Sequence, residues 1–261
     1  MAKEKLTYQN DISFDIILED KDIPEYEVLV AGFPGTGLIG GIASEQLINT
    51  LELEQVASID CDEFPPTAVI FDGIPRRPVR FFAGEKFLLV KSDMIIPPNL
   101  TANLAETIID FALDREVEEV IIFDGIPSGK GRDEDEAEEE EKKIWGVLSS
   151  HGAKKEAEKL DIEVISRGAV SGISSSLLLH ANEKELQAIG MLVEGNPKMP
   201  DPRASAALLQ RFAKYRDIDI ETESLIESAE QLEDQYAQMV DQANKAQTDM
   251  ERKSAHPPLY G

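Results

Sequence analysis

The sequence predicts an α/β protein: a three-layer α/β/α sandwich on a mainly parallel sheet, with a long C-terminal helix and a short extended tail. Three observations support this. Short apolar, β-branched runs alternate with segments of helical spacing as far as Tyr215. The run Tyr26–Gly32 enters a glycine-rich turn, continues with helical spacing at Leu38, Ile42, Leu47 and Leu51, and is followed by Val56–Ile59. That β–turn–α–β order implies parallel strands joined by a right-handed crossover. Beyond residue 220 the pattern becomes a single heptad repeat.

The elements follow in order. Ile12–Leu18 reads as a first strand, Tyr26–Gly32 as a second, Leu38–Leu51 as a helix and Val56–Ile59 as a third strand. Ala68–Phe71 and Val79–Phe82 read as strands flanking a turn at Asp72–Pro78, and Phe87–Val90 as another buried strand. Pro97-Pro98 stops that strand, and Asn99 is expected to cap a helix reaching Asp114. Val120–Phe123 is a strand, Ala153–Leu160 a helix, Glu163–Ile165 extended, Ser174–Asn182 a helix and Ile189–Val193 the last core strand. Asp201-Pro202 starts a helix to Tyr215, with an acidic cap and proline at the first helical position. The pentapeptide Phe-Asp-Gly-Ile-Pro occurs twice, at Phe71–Pro75 and Phe123–Pro127. Each copy reads as a strand end, an Asp-Gly turn and a proline terminator. The sharper alternative is a carboxylate pair, Asp72 with Asp124, at one sheet edge.

Ser224-Leu225-Ile226-Glu227 forms a capping box. From there Leu225, Ala229, Leu232, Tyr236, Met239, Ala243, Ala246 and Met250 fall in alternating steps of four and three. This 3.5-residue period predicts a helix–helix seam, read through Leu225, Leu232, Tyr236 and Met239, in a helix about 42 Å long. The expected organisation is a core domain over 1–220, a heptad helix over 221–253 and a flexible docking tail over 254–261.

Charge and composition narrow the function. The chain carries 51 acidic residues against 26 basic, a formal net charge of −25. Such a surface repels nucleic-acid phosphates and anionic membranes, and suits a high-salt cytoplasm where screening relieves self-repulsion. No apolar run approaches the roughly 18 residues of a membrane span. The N-terminal residues lack a secretory pattern, and a single cysteine, Cys61, fits a reducing compartment. A cytoplasmic protein is expected. Residues 132–143, nearly all charged, read as a solvated loop of undetermined role.

The best enzyme-like signal is Gly35-Thr36-Gly37-Leu38-Ile39-Gly40, a G-x-G-x-x-G that follows a strand and opens a helix. Asp60 ends the next strand, where a dinucleotide fold keeps its ribose acid. A nucleotide- or dinucleotide-dependent enzyme using Gly35, Gly37, Gly40 and Asp60 is therefore the alternative reading. Against it, Pro34 removes an amide donor from the turn, and tight strand–helix packing explains the same glycines. Other constellations fail. His151, His180 and His256 are scattered without ligand spacing, and Ser176 stands where a Gly-x-Ser-x-Gly elbow needs glycine. The acidic neighbours Asp60 and Asp62 make Cys61 a poor nucleophile. Arg76, Arg77 and Arg80, the sole basic cluster, read as a solvated turn or as a counterpart to a partner's acidic patch. No catalytic residue, metal ligand or cofactor is assigned.

The stretch Val30-Ala31-Gly32-Phe33-Pro34-Gly35-Thr36-Gly37-Leu38-Ile39-Gly40 resembles the proteasome assembly chaperone family in its archaeal form. Glu63-Phe64-Pro65-Pro66, Lys91-Ser92-Asp93 before Pro97-Pro98, Ser171-Gly172-Ile173 and Asp201-Pro202-Arg203-Ala204 extend the likeness from about residue 27 to 215. The resemblance implies an α/β/α sandwich without catalysis that binds the proteasome core without ATP. The residues Pro257-Pro258-Leu259-Tyr260-Gly261 are similar to the hydrophobic–tyrosine–any-residue ends of proteasome activators. That similarity implies a tail, Leu259, Tyr260 and Gly261, entering a pocket between α subunits of the core particle. A homo-oligomeric assembly chaperone or adaptor is the expectation, and an acidic scaffold with no tail function the third reading.

Overall fold

The computed structural model describes residues 5–8, 12–19, 25–128 and 142–228. Its strands are β1 (Lys5–Tyr8), β2 (Phe14–Leu18), β3 (Val28–Gly32), β4 (Glu54–Asp60), β5 (Val69–Phe71), β6 (Ile74–Arg76), β7 (Val79–Gly84), β8 (Phe87–Ser92), β9 (Glu119–Pro127), β10 (Ile144–Leu148), β11 (Glu163–Val164) and β12 (Gln187–Gly195). The helices are α1 (Ile39–Thr50), α2 (Thr101–Leu113), α3 (Lys154–Lys159), α4 (Ile173–Glu183) and α5 (Pro202–Arg216).

Ten strands form one mixed sheet in the order β1-β2-β4-β7-β8-β3-β9-β12-β10-β11. Its centre, β8-β3-β9-β12, is parallel throughout, as the alternating pattern predicts. Antiparallel pairings add β7, β4, β2 and β1 on one side and β10 on the other. Strand β4 runs in the same direction as β3, as the crossover requires, but β7 and β8 lie between them.

Burial alternates strictly in the central strands. On β3, Leu29 and Ala31 enter one core while Val28 and Val30 enter the other. On β9, Val120 and Ile122 share the first core, Ile121 and Phe123 the second. A strand buried on both faces reads as an unbroken apolar run, which is why these segments carry no polar alternation. The first core packs under α2 and α4 around Phe81, Phe111, Leu104 and Leu177. The second packs under α1 and α5 around Leu47, Leu89 and Phe212. The Phe212 ring meets Phe123 edge-on at 5.3 Å, and its loss would cost about 3–5 kcal/mol.

The start of α5 matches the sequence reading: the Asp201 carboxylate accepts the Ala204 N–H at 2.9 Å, with Pro202 at the first helical position. The start of α2 does not. Leu100 occupies the cap position without a side-chain bond, and Thr101 rather than Asn99 reaches back, donating to the Pro98 carbonyl at 3.0 Å. Strands β1 and β10 have no counterpart in the sequence reading. At 223 a further helical stretch begins, described to 228. It starts from Thr222, whose carbonyl accepts the Leu225 and Ile226 N–H groups, not from a Ser224–Glu227 box. Leu225 is buried in the second core, and Gln46 donates to the Glu221 carbonyl at 2.7 Å, so core packing continues past residue 220. Among the described residues no helix is long and apolar enough to cross a membrane.

Candidate functional site

In an open α/β sheet, ligand sites gather beyond the C-terminal ends of parallel strands, where neighbouring strands send their helices to opposite faces. Here that point lies between β3, followed by α1 in the second core, and β8, followed by α2 in the first.

The glycine-rich turn fills this point with protein. A Cβ at Gly40 would stand 2.4 Å from the Phe123 carbonyl oxygen, and one at Gly125 would stand 2.5 Å from that of Thr36. Helix α1 therefore enters against the backbone of β9. Gly37 takes φ +61° and gives its carbonyl to the Asp201 N–H at 2.8 Å. Asp201 in turn accepts from Asn196 N–H and from Lys142, so one carboxylate fastens the turn, the β12–α5 loop and the α5 N-terminus together. Gly35 faces the Asp124 carboxylate, whose Oδ1 lies 2.7 Å from where a Cβ would be. A phosphate approaching this turn would meet a carboxylate rather than a cradle of amides. Asp60 is at the end of β4, paired with Arg77 at 2.9 Å and two strands away from β3. The structure therefore does not assemble Gly35, Gly37, Gly40 and Asp60 into a dinucleotide site.

Asp124 is deeply set on β9 and accepts from the Ser174 hydroxyl at 2.6 Å and from the Gly125 N–H at 2.7 Å. Burial pushes its carboxyl above the ordinary value, against the opposing effect of those two hydrogen bonds. Asp72, its suggested partner, stands at the exposed tip of the β5–β6 hairpin, so the two copies of the pentapeptide do not present a carboxylate pair. Ser174 is buried, and His180 directs Nδ1 to Glu183 at 3.1 Å. The Cys61 thiol is raised, first by burial and then, more weakly, by Glu63 and Asp62.

Next to the turn lies a group of charges that the sequence reading missed. Arg80 and Lys91 stand directly opposite each other on β7 and β8, both almost wholly buried. Asp93 bridges them, at 2.6 Å from Arg80 and 2.8 Å from Lys91, while Lys91 also reaches Glu45 on α1 at 2.5 Å. Burial alone would raise Asp93, but hydrogen bonds from Lys91 and Arg80 hold it below the ordinary range. This is the physical content of Lys91-Ser92-Asp93: a neutralised tie between the end of β8 and α1. Its signal was two cations in strands otherwise apolar.

Beyond these ties the same edge presents apolar side chains to solvent. Strands β5 and β6 make a separate two-stranded sheet, turned by Asp72 (φ +49°) and Gly73 (φ +75°). Ile70, Phe71 and Ile74 on it are exposed, as is Ile95 in the loop after β8. Of the seam residues, Leu225 is buried in its own domain, whereas Leu232, Tyr236 and Met239 lie outside the described residues. So do Leu259, Tyr260 and Gly261, and most of the 132–143 segment.

A model of the PAC2 family matches residues 29–240. An uncharacterized protein of Methanocaldococcus jannaschii is 30% identical over 236 residues, which span 90% of this chain and 93% of that protein. Among solved structures, PbaA of Pyrococcus furiosus, an archaeal homologue of proteasome-assembly chaperone, aligns with a TM-score of 0.79 at 28% identity, over 92% of this chain and 97% of its own. PbaB of the same organism, an archaeal proteasome activator, aligns with a TM-score of 0.73 at 21% identity, over 87% of this chain and 98% of its own. At that identity the likeness is one of fold.

Proposed function

The chain belongs to the PAC2 family, and from that premise we propose that it is a proteasome-binding assembly chaperone or adaptor with no catalytic chemistry of its own. The observation that carries the reading is the likeness to PbaA along nearly the whole of both chains. The glycine turn adds support, because its glycines are used in packing α1 onto β9 rather than in holding a ligand.

The partner is the proteasome core particle, met at its α subunits by Leu259, Tyr260 and the carboxylate of Gly261. Pro257-Pro258 cannot continue a helix and favours an extended chain, which lowers the entropy lost when the following residues insert. Leu259 supplies apolar area, Tyr260 an aromatic ring with a hydroxyl, and the carboxylate a charge-assisted contact with a lysine. The chain self-associates through Leu232, Tyr236 and Met239, and several tails on one assembly multiply a weak single contact.

Co-purification with proteasome α subunits tests this. Full-length protein should retain them, whereas Tyr260→Ala, or residues added after Gly261, should abolish capture while leaving circular dichroism unchanged. Full capture by both variants would remove the tail from the mechanism. Capture by none, wild type included, would remove the proteasome.

A further inference from the structure

Ile70, Phe71 and Ile74 are 64%, 59% and 51% exposed, and Ile95 is 74% exposed. The first three lie on a two-stranded ribbon that forms no ladder with the main sheet. Phe71 and Ile74 are cross-strand partners on one face of it, Ile70 and Pro75 on the other, so both faces are apolar. A free two-stranded hairpin is marginal in water, and clustered exposed apolar groups of this kind mark an interaction surface. Ile95 joins the patch because the Asp93 N–H donates to the Pro78 carbonyl at the hairpin's foot, at 2.9 Å. Charge sets the kind of partner. Residues 67–80 hold three arginines and one aspartate in a chain whose net charge is −25. The surface therefore suits an apolar spot set among acidic groups.

The chain carries such a spot itself. On the outer side of the α2–α4 pair, Leu179 is 63% exposed, with Glu183 one turn further along the same stripe of α4. Glu106, Asp110 and Glu183 crowd a single cation, Lys184, which Asp110 holds at 2.9 Å. Exposed apolar groups with basic neighbours on one part of the molecule thus match an exposed apolar group with acidic neighbours on another.

We propose that the β5–β6 hairpin of one copy docks on the outer face of α2–α4 of a second copy, a heterologous contact between two different surfaces of the same chain. The proposal builds on self-association as read above but uses a different surface from the helix seam. Two full-length variants test it by light scattering: Phe71→Asp with Ile74→Asp, and Leu179→Asp. All three positions are exposed, so both variants should keep the wild-type circular dichroism. Each alone should lose mass relative to wild type. Mixed in equal amounts they should recover a two-chain species, because each retains the half that the other lacks. Unchanged mass in the hairpin variant, or no recovery on mixing, overturns the proposal. So does a wild type that is a single chain, in which case loss of α-subunit capture by the hairpin variant would assign the patch to another protein. A third variant, Leu232→Glu with Met239→Glu, separates the two contacts. Loss of mass there with none in the hairpin variant assigns association to the seam and overturns the hairpin contact; the reverse leaves the hairpin contact standing and removes the seam.

Discussion

At Phe71–Pro75 the residues Phe-Asp-Gly-Ile-Pro reverse the chain at the tip of an exposed hairpin; at Phe123–Pro127 the same five residues run extended through the middle of the ten-stranded sheet. In the first copy Asp72 and Gly73 both take positive φ, the geometry of a tight hairpin turn, and the space around Gly73 is open. In the second, β12 pairs residue for residue with β9 as far as Pro127, while β3 pairs with it up to Phe123. Pro127 can sit in that ladder because β3 has already ended, leaving one side of β9 without a neighbour that needs its N–H. The backbone freedom of Asp-Gly is present in both copies. Only where no partner strand claims the backbone does it become a turn. Neighbours across the sheet, not the pentapeptide, choose the conformation.

The glycines offer the sharpest way to break this comparison. Gly125→Ala places a methyl 2.5 Å from the Thr36 carbonyl oxygen and 2.7 Å from Ile39 Cδ1. Both belong to packed segments, so urea denaturation should show a loss of about 3 kcal/mol. Gly73→Ala meets no atom and is opposed only by its left-handed backbone, so its loss should stay near 1 kcal/mol. Equal losses at the two positions would mean that α1 does not approach β9 as closely as described.

The aspartates should differ by less. Asp124→Ala leaves the Ser174 hydroxyl and the Gly125 N–H without their acceptor inside the protein, at a cost of about 2 kcal/mol. Asp72→Ala alters an exposed turn and should stay under about 1 kcal/mol. The hydrogen-bonding deficit should show in Asp124→Ala and be milder in Asp124→Asn, which keeps an acceptor.

The smallest effect is on pH dependence. Because Asp124 is raised above its ordinary value of 3.8, the folded chain takes up its proton at a higher pH than the unfolded chain does. Its contribution is therefore fully present below 3.8 and is lost as pH rises through the raised value. Measured against Asp124→Asn, wild-type stability should improve as the solution is acidified through that window. Asp93 has the opposite sign: lowered by Lys91 and Arg80, it contributes above its ordinary value and loses that contribution as pH falls. An Asp124 profile that ran the same way as Asp93 would contradict its burial.

How much of this was legible in the sequence follows from the range of each interaction. The Asp201-Pro202 helix start, the apolar central strands and the α1 spacing were readable because cap geometry and side-chain periodicity act within a few residues. The structural use of the glycine turn was readable too, since Pro34 had already removed a donor from it. Strand β10 escaped because Ile144–Leu148 is short and directly follows a charged run, and only pairing with β12 makes it a strand. The extended state of Phe123–Pro127 escaped for the same reason. The position of β4 two strands from β3 and the hydrogen bond between Ser174 and Asp124, 50 residues apart, appear only when the layers close. So does the seating of Leu225 in its own core, where heptad spacing alone suggested a seam between helices. By itself the sequence determined which segments could be strand or helix and which glycines could admit close approach. Which strands became neighbours, and which charges were then buried together, was decided by tertiary structure. Apolar burial has no direction, and backbone pairing selects a partner only when a whole sheet offers one.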